Sequence, residues 1–134
     1  MKVFLDTNVL VSAFTARGLC ADLFRFLLAE HEVMTGEVNL VELRRVLVDQ
    51  FHATDHQVAV VDGQLRDQVV VPRPATAGSL RVRDPDDAWV LASAVAGAAD
   101  LLVTGDRDLL SVAANAPLPI VTPRVAWEQL RLAE

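Results

Sequence analysis

The chain is short of the residues on which several common kinds of protein are built. It has one cysteine, Cys20, which excludes a disulfide framework and a thiolate metal cluster and leaves a small core residue as its plain reading. Lys2 is the only lysine, and every other basic side chain is an arginine, the better bidentate ligand for phosphate. No apolar run reaches the roughly 18 uncharged residues of a membrane span, and "MKVFLDTN" meets an acid too early for a secretory signal. A protein working in the cytoplasm and off the membrane is expected. His31, His52 and His56 stand in polar stretches without ligand spacing, so surface positions are expected for them rather than metal ligation. Positive charge is also scarce: 12 Lys+Arg face 18 Asp+Glu, for a net charge of −6. That balance speaks against a nucleic-acid partner, unless some of the acids share a site for divalent cations. The formal count would then overstate the negative field that a substrate meets.

What the chain does have is apolar residues, 52% of 134. A chain of this length forms one domain, residues 1–134, and buries about two-thirds of the surface it exposes when unfolded. "KVFL" (2–5) reads as a buried strand, stopped by "DTN" at a turn or helix start. Helical spacing follows over 21–30, a strand over 32–36, and a strong helix over 37–51, where Leu40, Leu43 and Leu47 repeat at three and four residues. Thr54 and Gln57 form a capping-box pair opening a helix over 54–68, and "VVV" (69–71) is a third strand closed by "PRP". After a loop at 75–83, Asp84 is the N-cap of a helix with Pro85 at its first position and Gly97 as its stop. Strands at 101–105 and 119–122 flank a short helix, and Thr122-Pro123 opens a last one. Strands without polar alternation, separated by helices, predict an α/β fold: a parallel sheet covered on both faces.

The acids are the puzzle. Asp84, Asp86, Asp87, Asp100, Asp106 and Asp108 fall within a segment, 81–110, that is otherwise largely apolar. Part of this has a simple account, because Asp84 caps a helix and Asp86 and Asp87 in its first turn gain ~0.3–1 kcal/mol each from the helix dipole. Glu42 can pair with Arg45 along its helix, and Asp6 and Asp106 can each start a turn. Their common location is left unexplained by these accounts. In a parallel α/β sheet ligands bind at the carboxyl edge of the strands; Asp6 directly follows strand one, Asp106 follows strand four, Asp87 stands at the amino end of a helix that reaches the same edge, and Glu42 lies one and a half turns into its helix, on a face less polar than a solvated one. Like charges so gathered need protonation or a cation. Magnesium or manganese, one or two ions, is the natural neutraliser, since both prefer oxygen ligands. Such a cluster can lower the pKa of a bound water and stabilise displacement at phosphorus. Thr7, Asn8 and Thr104 are placed to hold the carboxylates by hydrogen bonds.

The motifs "LDTNVLVSAF", "VELRRVL", "RDPDDAWVLASAVAGAADLLVTGDRDLL" and "PIVTPRVAWEQL", in this order and spacing, resemble the PIN-domain nucleases, in particular the small bacterial toxins of toxin–antitoxin systems related to the VapC type. The resemblance runs from Met1 to about Leu130 and is weakest between about Phe51 and Arg81. It implies a three-layer α/β/α PIN-like domain around a central parallel sheet of four or five strands. It implies a four-acid site of Asp6, Glu42, Asp87 and Asp106, both catalytic and metal-binding, with Asp108 as an auxiliary ligand and Asp84 as the cap with an outer-sphere role. The implied activity is Mg²⁺- or Mn²⁺-dependent endoribonucleolytic hydrolysis of RNA phosphodiesters by metal-activated water. An antitoxin protein and a second copy of the chain, as a homodimer, are the implied partners. Arg44, Arg45, Arg83 and Arg107, close to the acids in sequence, are candidates for contacting RNA phosphates.

Three other readings compete. A non-toxic PIN protein, either an RNA-processing nuclease or a module that binds RNA or protein without turnover, has the same motifs. A receiver-type phosphoacceptor also gathers aspartates at a sheet edge, but it needs a lysine beside them, and Lys2 lies at the far end of strand one. A dinucleotide-binding domain wants a glycine-rich turn where this chain has "DTNVL".

Overall fold

A computed structural model describes residues 1–131. Five parallel strands, β1 (Lys2–Leu5), β2 (Glu32–Gly36), β3 (Val69–Val71), β4 (Leu101–Val103) and β5 (Ile120–Val121), form one sheet in the order β3-β2-β1-β4-β5. Between them run α1 (Thr7–Thr15), α2 (Leu19–Glu30), α3 (Glu37–Phe51), α4 (Asp55–Arg66), α5 (Pro85–Ala96) and α6 (Arg107–Ser111), with a 3₁₀ turn at Ala113–Asn115 and a final α7 (Pro123–Leu130).

The strand order decides where the helices go. Parallel crossovers are right-handed, so the steps β1 to β2 to β3 put α1 through α4 on one face. The chain then reverses, and the steps from β3 to β4 to β5 put α5 and α6 on the other. Strand side chains alternate accordingly. Val3, Leu5, Val33, Leu101 and Val103 pack with Leu10, Leu23, Leu27 and Leu43 in one core. Phe4, Met34, Leu102 and Ile120 pack with Val90, Leu91, Ala94 and Leu109 in the other. Both faces are buried, which is why the strands read as unbroken apolar runs.

Several local signals act as the sequence predicts. Thr54 and Gln57 make the reciprocal capping box of α4, Asp84 accepts from the Asp86 N–H and Pro85 occupies the first turn of α5, and the Thr122 hydroxyl accepts from Val125 N–H at the start of α7. The "DTN" sequence opens nine residues of helix, α1, capped by Asp6. The fourth strand ends at Val103 rather than at 105: the Thr104 N–H still donates to Val121 O on β5, while the Gly105 N–H turns to Asn8 Oδ1 at the edge described below. Of the histidines, His56 is exposed, His52 ends α3 in the left-handed region at φ 54°, and His31 packs edge-on against Phe26. Cys20 is half-buried against the first core. Among the described residues no helix is long and apolar enough to cross a membrane.

Gly97, at the end of α5, lies against β2 and β3 so closely that a Cβ would stand 2.6 Å from Val71 Cγ2 and 2.8 Å from Met34 Sδ. Gly63, inside α4, has nothing within 4 Å of that position. Gly97→Ala is therefore expected to destabilise the fold by about 1–3 kcal/mol through overpacking. Gly63→Ala is expected to stabilise it by about 0.5–1 kcal/mol through helix propensity. Urea denaturation of the two variants beside the wild type reads both signs.

Candidate active site

In the order β3-β2-β1-β4-β5 the chain reverses direction between β1 and β4, and the crevice at their carboxyl ends is where an open α/β sheet binds ligands. Asp6 stands at the end of β1 and Asp106 three residues past the end of β4. The Asp6 backbone N–H donates to Val103 O at 3.0 Å, so the first acid is fixed to the neighbouring strand at this point.

Asp6 is buried, at 4% exposure, and its carboxylate is fully engaged. Oδ1 accepts from the Thr7 N–H at 2.7 Å and from Asn39 Nδ2 at 3.0 Å; Oδ2 accepts from the Thr104 hydroxyl at 2.7 Å and from Asn8 Nδ2 at 3.1 Å. Thr104 Oγ1 in turn accepts from Asn8 Nδ2 and from the Asp106 N–H, while Asn8 Oδ1 accepts from the Gly105 N–H at 2.8 Å. Thr7, Asn8 and Thr104 thus touch the acids as the sequence suggests. Asn39 was not foreseen. It sits fully buried one turn before Glu42 on α3, and the available signal was an uncharged polar residue on the same helix face as Leu40 and Leu43.

Asp106 caps α6, with Oδ1 accepting from the N–H groups of Asp108 and Leu109. Asp87, in the first turn of α5, is buried at 6% exposure, and its Oδ2 has no hydrogen-bond partner among the described residues. Carboxylate oxygens of Asp87, Asp106 and Asp108 all lie within 4.8 Å of one another. Burial, then the charge of Asp106 and a hydrogen bond shared with the Asp106 carboxylate when Asp87 is protonated, with smaller pushes from Asp6 and Asp84, raises the Asp87 carboxyl to about 8. Burial likewise raises Asp6, and burial followed by the charge of Asp6 raises Glu42.

Glu42 occupies the flank of this group rather than its centre. It is half-buried, accepts a long 3.4 Å hydrogen bond from the Thr7 hydroxyl, and lines a cavity of about 300 Å³ between α3 and α5 with Arg45, Arg73 and Asp86. A second hollow, about 430 Å³, opens on the other side and is lined by Asn8, Ser12, Gly105, Asp106 and Pro123. Glu42 thus lines the first hollow and Asp106 the second.

The remaining sequence candidates divide. Arg83 and Arg107 are exposed next to Asp84 and Asp106 in sequence. Arg45 shares the cavity with Glu42, whereas Arg44 points into the groove between α3 and α4 with Leu47 and Val61. Asp100 is at the opposite edge of the sheet, where its carboxylate accepts from the Lys2 backbone N–H at 2.7 Å. Arg73 was missed altogether; only its place between two prolines at the end of β3 hinted at a rigidly presented cation.

An orphaned buried carboxylate oxygen within a cluster of hard oxygen donors suits a small divalent cation such as Mg²⁺ or Mn²⁺. The donor set excludes softer ligation, since no thiolate or imidazole among the described residues joins the cluster.

Fold and edge together define an α/β domain with an acid cluster at its topological switch point. A sequence model of the PIN domain matches residues 2–108, and the chain belongs to the PIN-domain family. No curated protein matches it in sequence. Among solved structures it is similar to VapBC2 from Rickettsia felis bound to a promoter DNA fragment, with a TM-score of 0.63 at 16% identity over 91% of this chain and 98% of that one. VapBC-1 from nontypeable Haemophilus influenzae gives 0.63 at 16% identity over 92% and 99%. Mycobacterium tuberculosis VapC20, a sarcin–ricin loop cleaving toxin, gives 0.59 at 18% over 82% and 94%. At these identities the likeness is one of fold.

The raised carboxyls have a consequence for stability. In the folded, metal-free protein burial and the Asp106 charge raise the Asp87 carboxyl to about 8, whereas the unfolded chain loses that proton near the ordinary value of 3.8. The native state then binds more protons between about pH 4 and pH 8, so this contribution is complete below that window and is lost as pH rises through it. Asp6 and Glu42 shift in the same direction. Urea denaturation in EDTA is expected to show stability falling from pH 5 to pH 8, and Asp87→Asn is expected to flatten the decline. An unchanged slope in that variant would mean that Asp87 does not carry it.

Proposed function

We propose that the chain is a metal-dependent endoribonuclease and the toxin of a toxin–antitoxin pair, working in the cytoplasm as a homodimer. The observation that carries this reading is the Asp87–Asp106–Asp108 cluster at the switch point, with one Asp87 oxygen left without a partner. Family membership supports a nuclease, and the VapBC complexes among the similar structures support an antitoxin partner.

Asp87, Asp106 and Asp108 would hold Mg²⁺ or Mn²⁺, with Asp6 beside them and Glu42 on the flank. When bound, the cation activates water toward the scissile phosphodiester and stabilises charge developing at phosphorus. The chain's own contribution is placement. Four donors fix the Asp6 carboxylate so that its charge cannot turn away from the cluster. Thr104 ties Asp6 to the backbone of Asp106, so the two strands' acids keep one spacing. Asp87 would bind a cation only in its deprotonated form, and Glu42, half-buried on α3, is placed to accept a proton on that side. Arg83 and Arg107 are exposed on the rim, where RNA phosphates flanking the cut would pass.

Purified protein is expected to cleave a labelled mixed RNA pool with Mn²⁺ or Mg²⁺ and not with EDTA. Asp87→Asn is expected to lower the rate at least about 100-fold, beyond the 10–100-fold typical of losing a supporting contact around a metal. Identical traces from wild type and variant would defeat the reading as a general ribonuclease. Growth arrest on expression that requires Asp6 is the outcome expected for a toxin; cleavage without arrest would identify a processing nuclease.

A further inference from the structure

The cavity between α3 and α5 carries a feature that the acid cluster does not use. Arg73 stands two residues past the end of β3, at the same carboxyl edge as the acids. Its neighbours Pro72 and Pro74 hold its backbone: proline fixes its own φ, and a residue before proline is kept extended. Its guanidinium lies over the ring of Trp89, 4.0 Å from the centroid. Trp89 is on α5, two residues beyond Asp87, so the helix that supplies the orphaned acid also supplies the platform for Arg73.

Among the described residues Arg73 makes no ion pair. Of the three acids that line the cavity, Glu37 is held by Arg66 in a fork at 2.7 and 3.1 Å, Glu42 accepts from the Thr7 hydroxyl with the charge of Arg45 beside it, and Asp86 is exposed in the first turn of α5, so Arg73 and Arg45 are the cations that face a ligand there. A cation stacked on indole keeps its in-plane N–H donors free, and five donors in a fixed fork match a phosphate better than a point charge does. At about 300 Å³ the cavity takes one nucleotide and not a duplex. Its lining also includes Val41, which is 68% exposed, an apolar wall for a base.

Resting on the ribonuclease reading above, we infer that this cavity is a single-strand RNA subsite. Arg73, pinned on Trp89, and Arg45 grip the phosphate next to the one cut at the acids. An unpaired strand would enter between α3 and α5, cross the acid cluster, and leave through the hollow beside Asp106. Arg44, turned into the α3–α4 groove, takes no part.

The test uses the full chain carrying Asp87→Asn, so that RNA is bound and not cut, and a labelled pool of short random single-stranded RNA. Affinity is read by fluorescence anisotropy across a salt series. Each phosphate contact on a single strand contributes about 0.7 to the slope of log affinity against log salt. Arg73→Ala is expected to reduce that slope by about 0.7 and to weaken binding about tenfold at low salt. Arg73→Lys is expected to keep the slope while binding less tightly, and Arg44→Ala to change neither; matched thermal melts exclude misfolding as the cause. An unchanged slope in Arg73→Ala overturns the subsite, as does an equal loss in Arg44→Ala, which would mark an effect of overall charge. If wild type cleaves RNA while either result holds, the subsite alone fails. If wild type neither cleaves nor binds RNA, the ribonuclease reading fails and the subsite falls with it.

Discussion

Everything at the functional edge hangs on one buried carboxylate. A charge taken out of water is tolerated only when it is paired or fully hydrogen-bonded, and Asp6 meets that condition with donors drawn from α1, α3 and the end of β4. Satisfying it fixes the relative positions of those elements. The same contacts bring Thr104, Gly105 and Asp106 into a defined turn, since the Thr104 hydroxyl serves Asp6 as a donor and the Asp106 N–H as an acceptor. A neutral residue at position 6 would free the edge from this requirement and from its geometry.

The acids of the edge are accordingly unequal. Asp6 is saturated by the protein and held in one orientation. Asp87 is buried, and its Oδ2 accepts no N–H or O–H donor among the described residues, which leaves it open to a cation. Asp84 and Asp106 cap helices, and Asp100 closes the far side of the sheet on the Lys2 N–H. One segment, 81–110, therefore contains acids with three separate physical jobs. Composition cannot tell these jobs apart; position relative to the strand ends can.

Legibility in the sequence follows from how local each signal is. The Thr54–Gln57 box, the Asp84 cap and the leucine spacing of α3 depend on neighbours within a few residues, and the parallel sheet follows from apolar runs alternating with helices. The extent of α1 was hidden because "DTN" reads equally well as a turn. Asn39 and Arg73 were hidden for a different reason. Their partners lie far off in sequence, Asp6 for the one and Trp89 for the other, and nothing local marks either residue. The placing of Arg45 in the cavity but Arg44 outside it turns on the 100° step between successive helix positions, a detail that proximity to Glu42 in sequence obscures.

The sheet order has a temporal meaning as well. β1 comes first among the strands of this sheet and lies at its centre, but one of its two neighbours, β4, begins about a hundred residues later. A growing chain can pair β1 with β2 and form α1 through α4 while the other flank of β1 stays open. At that stage Asp6 lacks Thr104, and neither Asp87 nor Asp106 is near it. The acid edge is therefore completed only after the β4 segment has followed β1 by about a hundred residues, so the halves of the site stay apart through most of the domain's synthesis.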